Sequence, residues 1–228
     1  MRKIFFLFIL IMLVGALPRS FGQSASVTGP RILLTWKSNT YVPEGFSGKI
    51  MPTSNSPITA SVELIDGGKI IDLSRKNIYW YQDNNFLAGG IGMQRVTFRA
   101  PDLAGGTMDL RAEVPNYSKG NQLKTVQIPI SKPEAVIEAP FPYGNFSSSP
   151  IKLVGQPYFF NADSVSQFNF AWSINGQKPS GAENPQTLNI KFSPTMPQGS
   201  TLSVSLSIQN TTNQYESGVE NINLIYAP

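Results

Sequence analysis

The strongest constraint in this 228-residue chain is an internal duplication. Residues 77–116 read NIYWYQDNN, then VTFRAPDLAGG, then TMDLRAEVPN; residues 169–210 read NFAWSINGQ, then LNIKFSPTMPQGS, then TLSVSLSIQN. Trp80 answers to Trp172, Phe98 to Phe192, and residues 107–116 fall one for one on residues 201–210. An offset of about ninety residues favours two domains, each long enough to bury its own core.

The local pattern inside and around the copies is that of strands. Ile58, Ala60, Val62 and Leu64 alternate with Thr59, Ser61 and Glu63, and Met108, Leu110, Ala112 and Val114 alternate with Asp109, Arg111 and Glu113. In the second copy Leu202, Val204, Leu206 and Ile208 alternate with serines, which makes the solvent face a serine ladder. Period two places one set of side chains on a buried face and the other in water. Asp66-Gly67-Gly68, Ala104-Gly105-Gly106, Lys119-Gly120-Asn121 and Asn175-Gly176 supply residues that accept the positive φ of tight turns. Eighteen prolines mark strand starts, edges and links, because proline cannot donate to a ladder.

These signals predict an all-β chain of two sandwich domains, residues 24–131 and 132–228, joined by a short proline-stiffened link at Lys132, Pro133 and Glu134. Strands are expected at 32–36, 58–65, 69–73, 78–82, 94–99, 107–114 and 123–130 in the first. In the second they are expected at 135–139, 157–162, 168–174, 187–192, 201–209 and 219–226.

Residues 1–22 have the three regions of a secretory signal peptide: Arg2 and Lys3, then eleven apolar residues from Ile4 to Val14, then a polar tail ending in small residues. Cleavage is expected after Gly22. The apolar run is shorter than the roughly 20 residues of a membrane span, so no transmembrane segment is expected after cleavage, and the destination is secreted, periplasmic or the cell surface. A retained anchor is the alternative.

The formal charge of +4 is largely a property of this leader. Removing Arg2, Lys3 and Arg19 leaves fifteen basic residues against fourteen acidic, without the cluster of cations that phosphate backbones require. No nucleic-acid partner is expected. The chain has no histidine and no cysteine. Disulfides, Cys/His zinc sites and every Ser-His-Asp or Cys-His constellation are therefore excluded.

A strand bearing a tryptophan (Trp80, Trp172), a later strand ending in phenylalanine (Phe98, Phe192), a glycine corner and an alternating strand closed by asparagine together resemble the immunoglobulin-like sandwich. Its closest variety is the PKD-like module that occurs in tandem on secreted bacterial surface proteins. The resemblance implies a tryptophan packed between two sheets, with Phe98 and Phe192 as structural core. This chain departs from the PKD-like pattern after the tryptophan, with Asp83-Asn84-Asn85 and Asn175-Gly176 in place of a Gly-Asp-Gly turn.

Few residues offer chemistry. Asp83, Asn84 and Asn85 bring one carboxylate and two amides where calcium needs six to eight oxygens, so they are expected to form a hairpin turn. Asp109, Arg111 and Glu113 share a solvent face and are expected to be surface charges, not an acid/base pair. Asn116, Asn145 and Asn210 each begin an Asn-x-Ser/Thr sequon. Tyr79 and Tyr81 flank Trp80 and so lie on the opposite face, where they form a possible interaction surface. No catalytic, cofactor-binding or metal residue is expected. The expected function is that of a non-enzymatic exported envelope protein, a structural spacer or protein-interaction module whose partner is another envelope or surface protein. The alternatives are a fimbrial-type assembly chaperone offering residues 110–115 and 123–128 as a subunit-binding edge, and an adhesin holding a glycan on Tyr79 and Tyr81.

Overall fold

The computed structural model describes residues 29–118, 120–180, 185–193 and 195–228; the expected leader, residues 1–22, lies outside them. In the first half the strands are β1 (Arg31–Ser38), β2 (Pro57–Asp66), β3 (Lys69–Ile70), β4 (Asn77–Gln82), β5 (Asn85–Ile91), β6 (Arg95–Arg99), β7 (Thr107–Tyr117) and β8 (Gly120–Pro129). In the second they are β9 (Glu134–Glu138), β10 (Asn145–Phe146), β11 (Ile151–Tyr158), β12 (Phe168–Ile174), β13 (Thr187–Ile190), β14 (Thr201–Asn210) and β15 (Asn213–Tyr226). Among the described residues no helix is long and apolar enough to cross a membrane.

Each half forms two facing sheets. In the first, β2 pairs with β1, β3 and β6, and the opposing sheet runs β5-β4-β7-β8. In the second, β13-β11-β9 faces β10-β15-β14-β12. The alternation seen in the sequence explains this arrangement. The inward residues Ile58, Ala60, Val62 and Leu64 of β2 and Met108, Leu110, Ala112 and Val114 of β7 are all buried. They meet in one core with Trp80, while Leu202, Val204, Leu206 and Ile208 of β14 join a second core with Trp172. Each large apolar side chain so buried contributes about 1.5–3 kcal/mol.

Hydrogen bonds make the two tryptophans equivalent beyond their packing. The Trp80 indole N–H donates to the Met93 carbonyl at 2.9 Å, and that of Trp172 donates to the Pro185 carbonyl at 2.7 Å. Both acceptors lie two residues before the next sheet-crossing strand, β6 or β13. A second shared bond pair follows. Asp83 and Asn175, three residues after their tryptophans, have φ of 47° and 49°. Their Oδ1 atoms accept from the Asp109 and Ser203 amides at 2.8 and 2.9 Å, and their own amides donate back to the same two residues. What repeats is a hydrogen-bonded frame, which explains why short polar residues that tolerate positive φ stand there.

Several boundaries differ from the sequence expectations. Strand β5 lies between residues 82 and 94, where no strand is expected, because Gly89 and Gly90 interrupt its alternation. Strand β11 covers 151–158 and not 157–162: Gly155 takes the place of an apolar residue in its inward alternation. A Cβ at that position would stand 2.9 Å from Leu206 Cδ2 and 3.2 Å from the Phe170 ring, so a larger residue there would press on the side chains of the facing sheet. Strand β15 begins at Asn213, and β3 has two residues. Phe98 is buried as a core residue, paired with Ile58. Its counterpart, however, is Ile190, which pairs with Ile151 and sits at the same distance from the start of its strand. Phe192 lies two residues past the end of β13, half-buried between the rings of Phe146 and Tyr226 at 5.0 and 5.4 Å.

The two sandwiches are joined by more than the link at 132–134. The segment between β1 and β2 leaves the first sandwich and lays Tyr41 against the second. The Tyr41 amide donates to the Phe160 carbonyl and the Phe159 amide donates to the Tyr41 carbonyl, both at 2.7 Å. The Tyr41 ring meets Phe168 edge-on at 5.1 Å, and burial raises its phenol pKa. Phe46 follows, packed against Tyr158 at 5.7 Å and Phe159 at 5.9 Å. The Ser131 amide donates to the Pro52 carbonyl, tying the link to the same segment.

Candidate functional site

The outer face of the β5-β4-β7-β8 sheet is built by parity. Trp80 points inward, so Tyr79 and Tyr81 point outward, and the register carries Gly89, Glu113 and Leu123 into the Tyr79 row. Tyr81 stands opposite Phe86 and Arg111, with Thr125 beyond. The two-residue turn sets Phe86 opposite Tyr81 on this face, 63% exposed, and the register shift beyond it sets Gly89 opposite Tyr79. Ile91 and Leu123 add further apolar area, 72% and 58% exposed.

The hairpin that joins β4 to β5 fixes the upper edge of the face. Asp83 and Asn84 are its two central residues, with φ of 47° and 67°, the requirement of a type I′ turn. The expected turn is present, and its side chains are committed: Asp83 Oδ1 accepts from Asp109, and Asn84 Oδ1 accepts from Arg111 Nη1 at 3.2 Å. Among the described residues no group of three or more acidic side chains is placed to hold a metal ion.

Arg111 is the centre of the face. Its guanidinium lies over the Tyr81 ring at 4.3 Å, a cation–π contact, while its Nε is shielded from water without an acceptor. The other two charges of this strand are engaged separately, since Glu113 Oε1 accepts from Asn121 Nδ2 and Asp109 is exposed. Tyr81 and Phe86 meet at 5.9 Å with planes 76° apart, and Tyr79 and Phe86 at 6.4 Å and 59°. Tyr79 leans across β5, where a Cβ on Gly89 would stand 2.3 Å from Tyr79 Cδ1. The result is a surface of ring edges around one cation.

The three sequons occupy different environments. Asn116 and Asn145 are exposed. Asn210 is fully buried, its Nδ2 donating to the Asn161 carbonyl at 3.1 Å and to Glu216 Oε2 at 2.6 Å, while Oδ1 accepts from Thr212. Glu216 is itself buried and accepts from the Asn161 amide at 2.7 Å. Asn210 therefore serves as the donor that satisfies a buried carboxylate, a role its sequence context does not reveal. Asn210→Ala is expected to cost about 2–3 kcal/mol in urea unfolding, because it strips a donor from an enclosed charge; an unchanged midpoint would refute that role.

No protein-family model matches the chain, and no curated protein matches it. Among solved structures it is similar to three N-terminal domains of the highly immunogenic outer capsid protein of bacteriophage RB49, at 10% identity and a TM-score of 0.42. That likeness covers 87% of this chain and 59% of the phage one, so the chain spans about three fifths of its length. It is also similar to the fibronectin(III)-like modules of Clostridium thermocellum CbhA, at 12% identity, a TM-score of 0.28, and coverage of 85% and 94%. A 1.5-MDa bacterial ice-binding adhesin gives 10% identity and a TM-score of 0.31 over 86% of this chain and 64% of the other. The architecture is carried by the strand order and not by these likenesses. With sheets β1-β2-β6 and β5-β4-β7-β8 in one half and β9-β11-β13 and β12-β14-β15-β10 in the other, each enclosing a buried tryptophan, Trp80 or Trp172, the chain is two immunoglobulin-like β-sandwiches in tandem.

Proposed function

We propose that this is a non-enzymatic exported protein of the cell envelope, a stiff two-domain module that holds the Tyr79–Tyr81–Arg111 face toward another envelope or surface protein. The observation that carries the reading is the Tyr41–Phe160 bridge, since a chain needing only a flexible tether has no use for a second connection between its domains. The face supports a protein partner through aromatic edges, exposed aliphatic residues and an arginine, a composition enriched at protein interfaces. The test is affinity capture from the protein's own cells with the chain lacking residues 1–22, followed by mass spectrometry. A partner lost with Tyr81→Ala and with Arg111→Ala, yet kept with Tyr215→Ala, is the expected result. Turnover by the pure protein that vanishes on changing one carboxylate would overturn the non-enzymatic reading.

The assembly-chaperone alternative has one supporting observation: among the described residues β8 pairs with β7 alone, whereas residues 110–115, the other stretch expected at the binding edge, lie in β7, paired on both sides by β4 and β8. Co-purification of a pilin-like subunit would select it. The glycan alternative has less support, because the rings stand at 59° and 76° to Phe86 and Arg111 covers one face of Tyr81, leaving no flat pair for a sugar to stack on.

A further inference from the structure

We propose that the outer face of the sheet formed by β1, β2 and β6 binds an acidic polysaccharide, its uronate carboxylates held by Lys37, Arg95 and Arg99 and its hydroxyls by the threonines and serine between them. The register lays these residues out as a grid. Pro57 stands opposite Arg99, Lys37 and Thr97 flank Thr59 in the next row, and Thr35 and Arg95 flank Ser61 in the row after that. They point away from the core, because Ile58, Ala60, Val96 and Phe98, which alternate with them, are buried. Three cations therefore share three rows that hold no acid. Glu63, opposite Leu33, marks the limit of the patch. The other outer faces differ: β7 mixes Asp109 and Glu113 with Arg111, and β14 presents Ser203, Ser205 and Ser207 without charge.

The charges are held by neutral oxygens and kept apart. Arg95 Nε donates to Ser61 Oγ at 3.4 Å, while Arg99 Nη1 donates to the Asn55 carbonyl at 2.8 Å, so neither guanidinium is neutralised by its partner. Arg95 and Arg99 lie about 13 Å apart along β6, and Lys37 stands about 10 Å across from Thr97 between them. One small anion cannot reach all three, whereas a polymer carrying carboxylates at intervals can, with each arginine fork free to accept one. What lies between the cations identifies the polymer. Thr59 and Thr97 pair their hydroxyls at 3.1 Å, and Thr35 and Ser61 extend the row, so the floor is a set of hydroxyls matched to sugar hydroxyls. The rows hold no aromatic side chain to anchor a protein or to stack a base, and no large apolar one to enter a bilayer. Three cations also fall short of the cluster a phosphate backbone requires.

Isothermal titration calorimetry of the chain lacking residues 1–22 with polygalacturonate oligomers tests the proposal. A dissociation constant below about 1 mM is expected, with affinity falling about tenfold between about 50 and about 150 mM salt as three cations release their counterions. Arg95→Gln combined with Arg99→Gln should weaken binding at least about tenfold, and Lys37→Gln about threefold; all three positions are exposed. Lys152→Gln, which removes the same charge from the exposed side of β11, should leave it within about twofold. Thr97→Val, similar in shape but without the hydroxyl, should weaken it about threefold. Polyglutamate and phosphatidylglycerol vesicles should each bind at least about tenfold more weakly than polygalacturonate. Absence of polygalacturonate binding overturns the proposal, as does binding indifferent to the arginine pair or equally lost with Lys152→Gln. Equal binding of polyglutamate, or indifference to Thr97→Val, would replace the sugar with an acidic protein, and equal binding of the vesicles would replace it with a membrane. Capture through Tyr81 and Arg111 is a separate question, because those residues stand on the opposite sheet.

Discussion

Trp80→Ala is expected to leave the first sandwich largely unfolded at physiological temperature. The side chain is fully buried among Ile58, Leu64, Met108 and Leu110, and its truncation removes about 3–5 kcal/mol of packing. The Met93 carbonyl also loses its donor, which adds about 1 kcal/mol and frees the entry to β6. Together these approach the whole stability of a domain, about 5–15 kcal/mol. In a Trp36→Phe background, guanidinium unfolding followed by the fluorescence of Trp172 and by circular dichroism would show the second sandwich folding while the first does not. Trp80→Phe, which keeps most of the ring volume, should recover more than half of the loss. A Trp80→Ala chain with an unaltered midpoint would show that the repeat's frame does not depend on its tryptophan.

Tyr41→Pro is the second substitution with a large expected effect. It deletes the amide that donates to Phe160 and the ring packed on Phe168, for about 3 kcal/mol of coupling between the sandwiches. The protein as found should melt in one transition with a fixed small-angle scattering profile. The variant should melt in two, and its radius of gyration should rise as the domains separate. Tyr41→Phe, which keeps the ring and the backbone bond, should behave as the parent. Two transitions in the parent itself would mean that the bridge does not couple the domains.

The bridge also shows where sequence reasoning stops. Alternation made β2, β7 and β14 legible, because each buries one full face and no tertiary contact has to override the period. Parity then placed Tyr79 and Tyr81 opposite Trp80, and the structure sets them there. Phe86 was not legible as part of the same face, since its place opposite Tyr81 depends on a two-residue turn leading straight into a strand that was not expected. Strand β5 was hidden by Gly89, whose missing side chain makes room for Tyr79 but removes the signal of a strand. Tyr41 and Phe46 sit in an aperiodic stretch with Pro43, and nothing local distinguishes a residue that docks on another domain from one in an ordinary loop. Asn210 presented a sequon, while its partner Glu216 lies across a hairpin whose start the sequence did not mark.

The segment carrying Tyr41 has a mechanical consequence. Tandem modules joined at one point are beads on a string: pulled from the ends, they swing into line before any strand is loaded. Here the Tyr41–Phe160 bridge and the 132–134 link fasten the sandwiches at two places, and two fastenings resist twist as well as bend. A tensile load therefore reaches the bridge early, with little slack to take up. Because its two backbone hydrogen bonds and three ring contacts are few compared with those of either core, it should part first. The molecule would then lengthen in a defined step while both sandwiches stay intact.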